Sequence, residues 1–338
     1  MIAKQKIKKI DSALAKLAEH EACCRLCPRE CGVNRSRGEK GYCQSGHRAA
    51  VSHALLHYGE EPVLSGARDV SERKGGEILR RTGSGTIFFA GCNLKCSFCQ
   101  NYQLSWLNQG KPASDEELAG MMLELEGSGA LNINLISPSH LLLPILRALR
   151  VAYARGLSLP LVYNSNGYEK ADIIMNLDEI IDIYLPDLKY FSADVSGKFS
   201  GAPDYFKHAS LAIKEMSLQR PVLLLDRTGI AKQGLIVRHL VLPGQTTDSF
   251  AVLEWLAAEL PAHTCISLMS QFHPCYRAPK ELQRSLRQEE YQAVLARGQA
   301  LQFENMFVQP EGFGSEDHLV PDFSLEAPFD WRGKRRGP

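Results

Sequence analysis

The sequence predicts an α/β fold, a partial (β/α)6 barrel of the TIM type with an N-terminal Cys-rich extension, and three observations carry that expectation. From Gly83 to about Pro310, short apolar runs alternate with amphipathic stretches, the pattern of parallel strands joined by crossover helices. Ahead of it lies a segment crowded with cysteine: Cys23, Cys24, Cys27, Cys31 and Cys43. The first apolar run, Thr86 to Ala90, leads straight into Gly91-Cys92-Asn93-Leu94-Lys95-Cys96-Ser97-Phe98-Cys99-Gln100-Asn101, where three more cysteines fall within eight residues. These features divide the chain into a leader and connector over 1–82, a core over 83–310 and a C-terminal tail over 311–338.

Taken in order, apolar Ile7, Ile10, Leu14, Leu17 and Ala18 recur at helical spacing and predict an amphipathic helix over 7–21. The Cys-rich segment and a Gly/Arg/Lys loop follow. Residues 50–81 read as a connector, with His53 and His57 four apart, the group Glu60-Glu61-Pro62, and Gly66, Gly75 and Gly76. After the first strand, Ser114-Asp115-Glu116-Glu117 forms a capping box that opens a helix with Leu118, Met121, Met122 and Leu125 on its inner face. Further strands are expected at Leu131–Ile136, Leu159–Tyr163 and Ile181–Leu185, and a long helix from Ser137 to Arg155 follows the first of these. A fifth lies within 222–242, where Asp226-Arg227-Thr228-Gly229 can split it into a hairpin. A sixth is expected at Cys265–Met269, with a late edge strand at Met306–Val308 and a basic tail ending Arg332-Gly333-Lys334-Arg335-Arg336.

Composition narrows the function. A chain of 338 residues, 44% apolar, can bury a large core. Its 39 basic and 38 acidic residues balance, which argues against a general nucleic-acid binder. No apolar run approaches membrane-spanning length, and the Lys-rich N-terminus lacks an apolar signal core, so a cytoplasmic protein without a membrane role is expected. Ten cysteines in that setting point to metal ligands and reduced thiols instead of disulfides.

Thiolates hold iron–sulfur clusters, and the spacing C-x3-C-x2-C lets Cys92, Cys96 and Cys99 converge on one cubane while leaving one iron without a protein ligand. A structural zinc site or three buried thiols are the alternatives, although a zinc knuckle normally closes its fourth position. In the leader, Cys24, Cys27, Cys31 and Cys43 make C-x2-C-x3-C-x11-C, enough to close a zinc site or hold a second iron–sulfur cluster, against the alternative of unconnected surface thiols. A metal there would replace the core that so short a Gly/Arg-rich segment cannot build.

At Cys92, Cys96 and Cys99, with Phe98 before the last Cys, the chain resembles the radical S-adenosylmethionine (SAM) enzymes. In particular it looks like the proteins related to pyruvate formate-lyase activating enzyme, over roughly residues 20–310. The resemblance implies a [4Fe-4S] cluster whose open iron chelates SAM, reductive cleavage of SAM to a 5′-deoxyadenosyl radical, and hydrogen abstraction from a substrate. It also implies an electron donor such as flavodoxin or ferredoxin and, in activating enzymes, a glycyl-radical protein as substrate. Small-molecule or peptide modification, or an iron–sulfur electron-transfer protein that has lost the cofactor, are the other readings. Residue by residue, the resemblance places Asp187 and Lys189 of Asp187-Leu188-Lys189 at the active site, with Lys189 on the cofactor. Asn164 and Asn166 of Asn164-Ser165-Asn166-Gly167 fall near the ribose, and His273 stacks on the cofactor. The family's Gly-Gly-Glu turn is absent; Ser137 or Ser139 takes its position, with a plain helix N-cap at Ser137 as the alternative. Glu60-Glu61-Pro62 resembles a Gly-Glu-Glu-Pro segment of the family. The strand ending Val241-Leu242-Pro243-Gly244 resembles the family's Val-Pro-Gly, and only one of Arg238 and His239 can face the cavity.

Overall fold

The structure, a computed structural model, describes residues 2–66, 82–309 and 319–329. Helices are α1 (Ile2–Leu17), α2 (Pro62–Ser65), α3 (Tyr102–Ser105), α4 (Asp115–Gly127), α5 (Leu142–Ala154), α6 (Ala171–Ile174), α7 (Ala193–Ser200), α8 (Tyr205–Gln219), α9 (Thr246–Glu259) and α10 (Gln288–Ala300). Strands are β1 (Ala49–His57), β2 (Gly83–Phe89), β3 (Lys111–Ala113), β4 (Ala130–Ile136), β5 (Leu161–Ser165), β6 (Ile183–Pro186), β7 (Leu224–Leu225), β8 (Ala231–Leu240), β9 (Cys265–Met269) and β10 (Asn305–Val308).

The sheet runs β10-β9-β8-β6-β5-β4-β2-β1-β3. From β2 to β10 every neighbouring pair is parallel, while β1 joins β2 and β3 antiparallel. This is the expected α/β class with a mostly parallel sheet. Its two ends do not pair with each other among the described residues.

Alternation along each strand sorts side chains onto two faces. Ile87, Ile133, Leu135, Tyr163, Tyr184, Val237 and Leu268 belong to the large core shared with the helices, whereas Val162, Ile183, Leu185, Ile236 and Cys265 pack with Val63 and Leu64 of α2 on the other face. The connector therefore lays a helical turn across the inner face of the sheet. Polar residues of β2 and β4 continue that face: Ser84 donates to Asn132 (2.7 Å), and Asn132 donates to the Leu64 carbonyl (2.8 Å).

Several sequence expectations need correction. Residues 49–57 form β1 instead of an irregular connector, so His53 and His57 sit on a strand and not on one helix face. His53 meets the Leu325 carbonyl at 2.9 Å, and His57 packs on Phe88 and Phe329. The helix expected from Ser137 begins later, because a 3-10 turn over Ser139–Leu141 precedes α5. The first helix is displaced N-terminally, ending at Leu17 with a 3-10 turn beyond it. Within the region read as a polar tail, residues 319–329 pack on the sheet: Phe323 is buried against Phe88, and its amide donates to Gln103 (2.7 Å). Gly75, Gly76 and the basic run 332–336 lie outside the described residues. No described helix is long and apolar enough to cross a membrane.

Candidate functional site

The C-terminal ends of the parallel strands converge where loop chemistry is expected in such sheets. β2 is buried throughout and delivers the cysteine loop at its end. Gly91 makes the exit possible. It has φ of +87°, and a Cβ there would stand 2.5 Å from the Cys43 carbonyl and 2.7 Å from Ser45 Oγ, so the leader can lie directly on the loop.

The loop is clamped from several sides. Arg29 Nε donates to the Asn93 carbonyl (2.9 Å), the Ser97 amide donates to Phe199 (2.8 Å), and the Arg277 amide donates to Ser97 (3.0 Å). Phe98 packs between Phe199 and Phe272. Asn93 is wholly buried; it donates to the Tyr168 carbonyl (2.7 Å) and accepts from Asn166 (2.8 Å). The Leu94 amide and the Asn166 side-chain amide each donate to Cys92 Sγ at 3.4 Å. Donors aimed at sulfur are what a cluster-bound thiolate requires.

All ten cysteines are free, and Cys92 and Cys96 are buried. Burial raises the Cys92 thiol and pushes Cys99 up to about 12, so these sulfurs stay neutral unless a cation compensates them. Among the described residues no group of three or more His, Cys, Asp or Glu closes on a single metal ion. A cubane asks for something different, because each of its thiolates bonds a separate iron. The three loop cysteines, unbridged, with Cys92 and Cys96 buried and N–H donors on the Cys92 sulfur, fit that group.

Lys189 stands beside them. Its ammonium lies 2.5 Å from Asp187 Oδ2. Burial alone would lower the lysine, but Asp187 and the sulfurs of Cys96 and Cys99 outweigh it and raise the pKa, keeping the charge on. Asp187 is itself bridged to Arg238 through the backbone of β8. Strand alternation puts Asn164, Asp187 and Arg238 on the inner face, two residues beyond Val162, Leu185 and Ile236. Asn164 is buried at that strand end. Asn166 is committed to the cysteine loop: its amide serves Cys92 and Asn93, and its carbonyl oxygen accepts from the Tyr168 amide (2.9 Å). Next to it Gly167, with φ of +80°, passes so close to the Asp187 carbonyl that a Cβ would sit 2.0 Å away.

Ser137, Ser139 and His273 follow the ends of β4 and β9. Ser137 is half-buried at the end of β4 and caps no helix, since Pro138 holds the cap position of the following turn. Ser139 donates its hydroxyl to the wholly buried Glu169, whose carboxyl burial pushes up to about 7. His273 lies half-buried in the loop after β9. Of the adjacent pair, Arg238 faces inward, while His239 is buried on the helix side between the Leu188 carbonyl (2.7 Å) and Ser249 Oγ (2.9 Å).

Sequence reasoning missed the acidic partner of Arg238. Arg238 Nε donates to Glu61 (2.8 Å), and its guanidinium also grips Glu60. Burial alone would raise the Glu60 carboxyl; Arg238 and His57 hold it well below the usual range. Asn134 adds a donor to Glu60 at 3.0 Å. The only sequence signal was two adjacent Glu before a Pro in a segment that otherwise turns apolar.

In the leader, Cys24, Cys27 and Cys43 are buried, while Cys23 and Cys31 are exposed. Arg35 links the two regions, donating to the His140 carbonyl and, at 3.4 Å, to Cys43 Sγ. Burial raises Cys24 and brings Cys27 to about 12, with neighbouring leader sulfurs adding to the effect. His140 Nε2 meets the Ala90 carbonyl at 2.9 Å, and burial lowers this histidine to about 4.

Fold and site together define an α/β protein with a thiol-lined loop and a Lys–Asp pair at the C-terminal mouth of a parallel sheet. No protein-family model matches the chain. It is 28% identical over 284 residues to the uncharacterized protein MJ0674 of Methanocaldococcus jannaschii, covering 80% of this chain and 73% of that one. It is 32% identical over 91 residues to the uncharacterized protein MJ0808 of the same organism, covering 27% of this chain and 26% of that protein. Among solved structures, Streptococcus suis SuiB superposes at a TM-score of 0.42 and 11% identity, covering 68% of this chain and 48% of SuiB, so the chain spans about half of SuiB's length. Methylornithine synthase (PylB) superposes at 0.42 and 17% identity, covering 73% of this chain and 74% of that one.

Proposed function

We propose that the protein is a radical SAM enzyme: an iron–sulfur protein that reductively cleaves S-adenosylmethionine and passes the resulting radical to a substrate. One observation carries the reading. Three unbridged cysteines leave the end of the first parallel strand together, with the charged Lys189–Asp187 pair beside their sulfurs. In this reading Cys92, Cys96 and Cys99 hold a [4Fe-4S] cluster, which supplies the reducing electron and an open iron for SAM when bound.

The chain's own residues do the remaining work. Asn166 and the Leu94 amide donate to the Cys92 sulfur and orient the loop. Lys189 keeps its proton and offers N–H donors to a carboxylate or ribose hydroxyl. Asp187 holds that ammonium in place, and Asn164 presents an amide at the neighbouring strand end. Arg238, paired with Glu60 and Glu61, adds a charged group on the same face of the sheet. An electron carrier without SAM chemistry would have no use for Lys189 and Asp187 at this place.

Activation of a glycyl-radical partner is the form of this chemistry that the sequence resemblance implies. A second metal in the leader, held by Cys24, Cys27, Cys31 and Cys43, belongs to the same reading. The test is anaerobic reconstitution with iron and sulfide, reduction, and chromatography for 5′-deoxyadenosine with and without candidate glycyl-radical proteins. Formation of 5′-deoxyadenosine is expected; an iron-loaded, reduced protein that forms none would overturn the proposal.

A further inference from the structure

We infer that the leader closes an anionic metal–thiolate centre on Cys24, Cys27, Cys31 and Cys43, and that Arg35 is the counter-ion built in for it. The inference rests on reading those cysteines as metal ligands and is independent of the chemistry at Cys92. Lys6, Arg35 and Arg220 are the most deeply buried lysines and arginines among the described residues, each less than a tenth exposed. Two of them have carboxylates: Lys6 lies 2.5 Å from Asp182, and Arg220 lies 3.0 Å from Asp178. Arg35, 5% exposed, has none among the described residues. Its Nη1 donates to the His140 carbonyl, its Nη2 donates to Cys43 Sγ at 3.4 Å, and its Nε is buried without a partner. A guanidinium keeps its proton in a protein, and a buried charge left unpaired is costly. Arg35 therefore calls for an anion inside the leader.

The loop between Cys31 and Cys43 is built to aim the guanidinium there. Asn34 accepts from the Arg37 amide (3.1 Å) and caps a 3-10 turn over Arg35–Arg37, in which Arg35 is buried while Ser36 and Arg37 are exposed. Glu39, the nearest carboxylate along the chain, is taken by the Asn34 amide (2.7 Å). The backbone gathers the thiols around the same point. The Cys24 amide donates to the Val33 carbonyl (3.0 Å), and its carbonyl accepts from Gly32 (2.9 Å). A Cβ on Gly41 would collide with Cys31 Sγ, so that thiol folds back on the turn that carries Cys43. Arg35 acts on the Cys24 thiol, as do the sulfurs of Cys31 and Cys43, and Cys24 and Cys43 act on Cys27, so sulfurs and guanidinium share one neighbourhood. Four thiolates outweigh the charge of a divalent metal ion or of a cubane core, and a guanidinium offsets part of the surplus. Beside neutral thiols the same guanidinium stands uncompensated. On loading, each S–H bond breaks as a sulfur–metal bond forms, and the proton leaves to solvent. The His140 carbonyl that holds Arg35 belongs to the residue whose ring meets the Ala90 carbonyl (2.9 Å), two residues before Cys92, so the centre seats the leader against the cysteine loop.

Full-length protein carrying Cys92→Ala, Cys96→Ala and Cys99→Ala serves as the parent for the test, since it separates the leader from the cysteine loop. It is loaded with zinc in one arm and with iron and sulfide in the other, which distinguishes an ion from a cluster. In competition with a chelator, Arg35→Leu is expected to hold the metal about tenfold or more weakly, while Arg35→Lys, which keeps the charge, retains most of the affinity. Denaturant unfolding adds a readout that a purely structural arginine would not give. Arg35→Leu should unfold at lower denaturant than its parent when both are loaded, and at the same or higher denaturant when both are metal-free, because the variant no longer buries an unpaired charge. A variant equally destabilised with and without metal, or one that binds metal as tightly as its parent, would overturn Arg35 as the counter-ion. A folded parent that takes up neither zinc nor a cluster would overturn the leader reading beneath it, while 5′-deoxyadenosine formation by the unmutated protein reports separately on the Cys92 site.

Discussion

Two groups of cysteines lie side by side in this molecule, and they are built differently. The loop holding Cys92, Cys96 and Cys99 leaves a strand that is buried over its whole length, and the leader, the end of α7 and the segment after β9 all clamp it. The leader group has more cysteines but less structure: two of its five are exposed, and a Gly/Arg-rich loop connects the rest. The difference teaches that packing against the strand ends, more than the number of thiols, decides how firmly a cysteine group is held. The Lys189–Asp187 pair stands next to the sulfurs of the first group.

Removing the thiols gives the largest expected effect and breaks the comparison if it fails. Replacing Cys92, Cys96 and Cys99 together with Ala should abolish the cluster absorbance and spin-resonance signal. Metal analysis of the same variant should still find metal bound by Cys24, Cys27, Cys31 and Cys43. A metal-free but folded triple variant would mean that the leader closes no site of its own.

The contact between the two regions comes next. Gly91→Ala must accept a positive φ and a methyl against the Cys43 carbonyl, and thermal or denaturant unfolding should register a loss of about 2–4 kcal/mol. A neutral result would mean that the leader can move off the loop at no cost.

His140 sharpens the same boundary through pH. Its folded pKa, lowered to about 4 by burial, lies below the unfolded value of about 6.5, so the unfolded chain takes up the proton first. Its stabilising contribution is therefore complete above about pH 6.5 and is lost as pH falls towards 4, by up to about 3 kcal/mol. Glu169, raised to about 7, works in the opposite direction, favouring the fold at low pH and ceasing to do so as pH rises through 7. His140→Gln should flatten the acid limb of the stability profile; an unchanged limb would place the acid sensitivity elsewhere.

The smallest effect separates chemistry from scaffolding. Lys189→Met should keep iron and cluster absorbance but bind S-adenosylmethionine ten- to a hundredfold more weakly, the loss of a charge-assisted hydrogen bond worth about 1.5–3 kcal/mol. Equal affinity in calorimetry would strip the Lys–Asp pair of its proposed role.

Much of the parallel core could be read from the chain, because each buried strand is a short apolar run punctuated by turn residues. The capping box at Ser114 and the hairpin about Asp226 formed as expected, since both are local. What escaped was non-local. β1, Ala-Ala-Val-Ser-His-Ala-Leu-Leu-His, carries no strand alternation and is fixed by pairing with β2 and β3. Arg238 meets Glu60 and Glu61 across nearly 180 residues of chain, a distance no spacing rule spans. The hydrogen bonds from Asn166 to Cys92 and Asn93 are equally non-local, spanning more than 70 residues. Phe323 looked like part of a polar tail, yet it covers Phe88 on the inner face.

The central claim is that an iron held at Cys92, Cys96 and Cys99 keeps a position open for S-adenosylmethionine. Low-temperature spin resonance of the reduced, reconstituted protein tests it most directly, recorded before and after adding S-adenosylmethionine. Direct chelation predicts that the cubane signal shifts in g-values and line shape on addition, and that Lys189→Met needs more cofactor to reach the same shift. A reduced cubane signal that stays unchanged at saturating S-adenosylmethionine would contradict it.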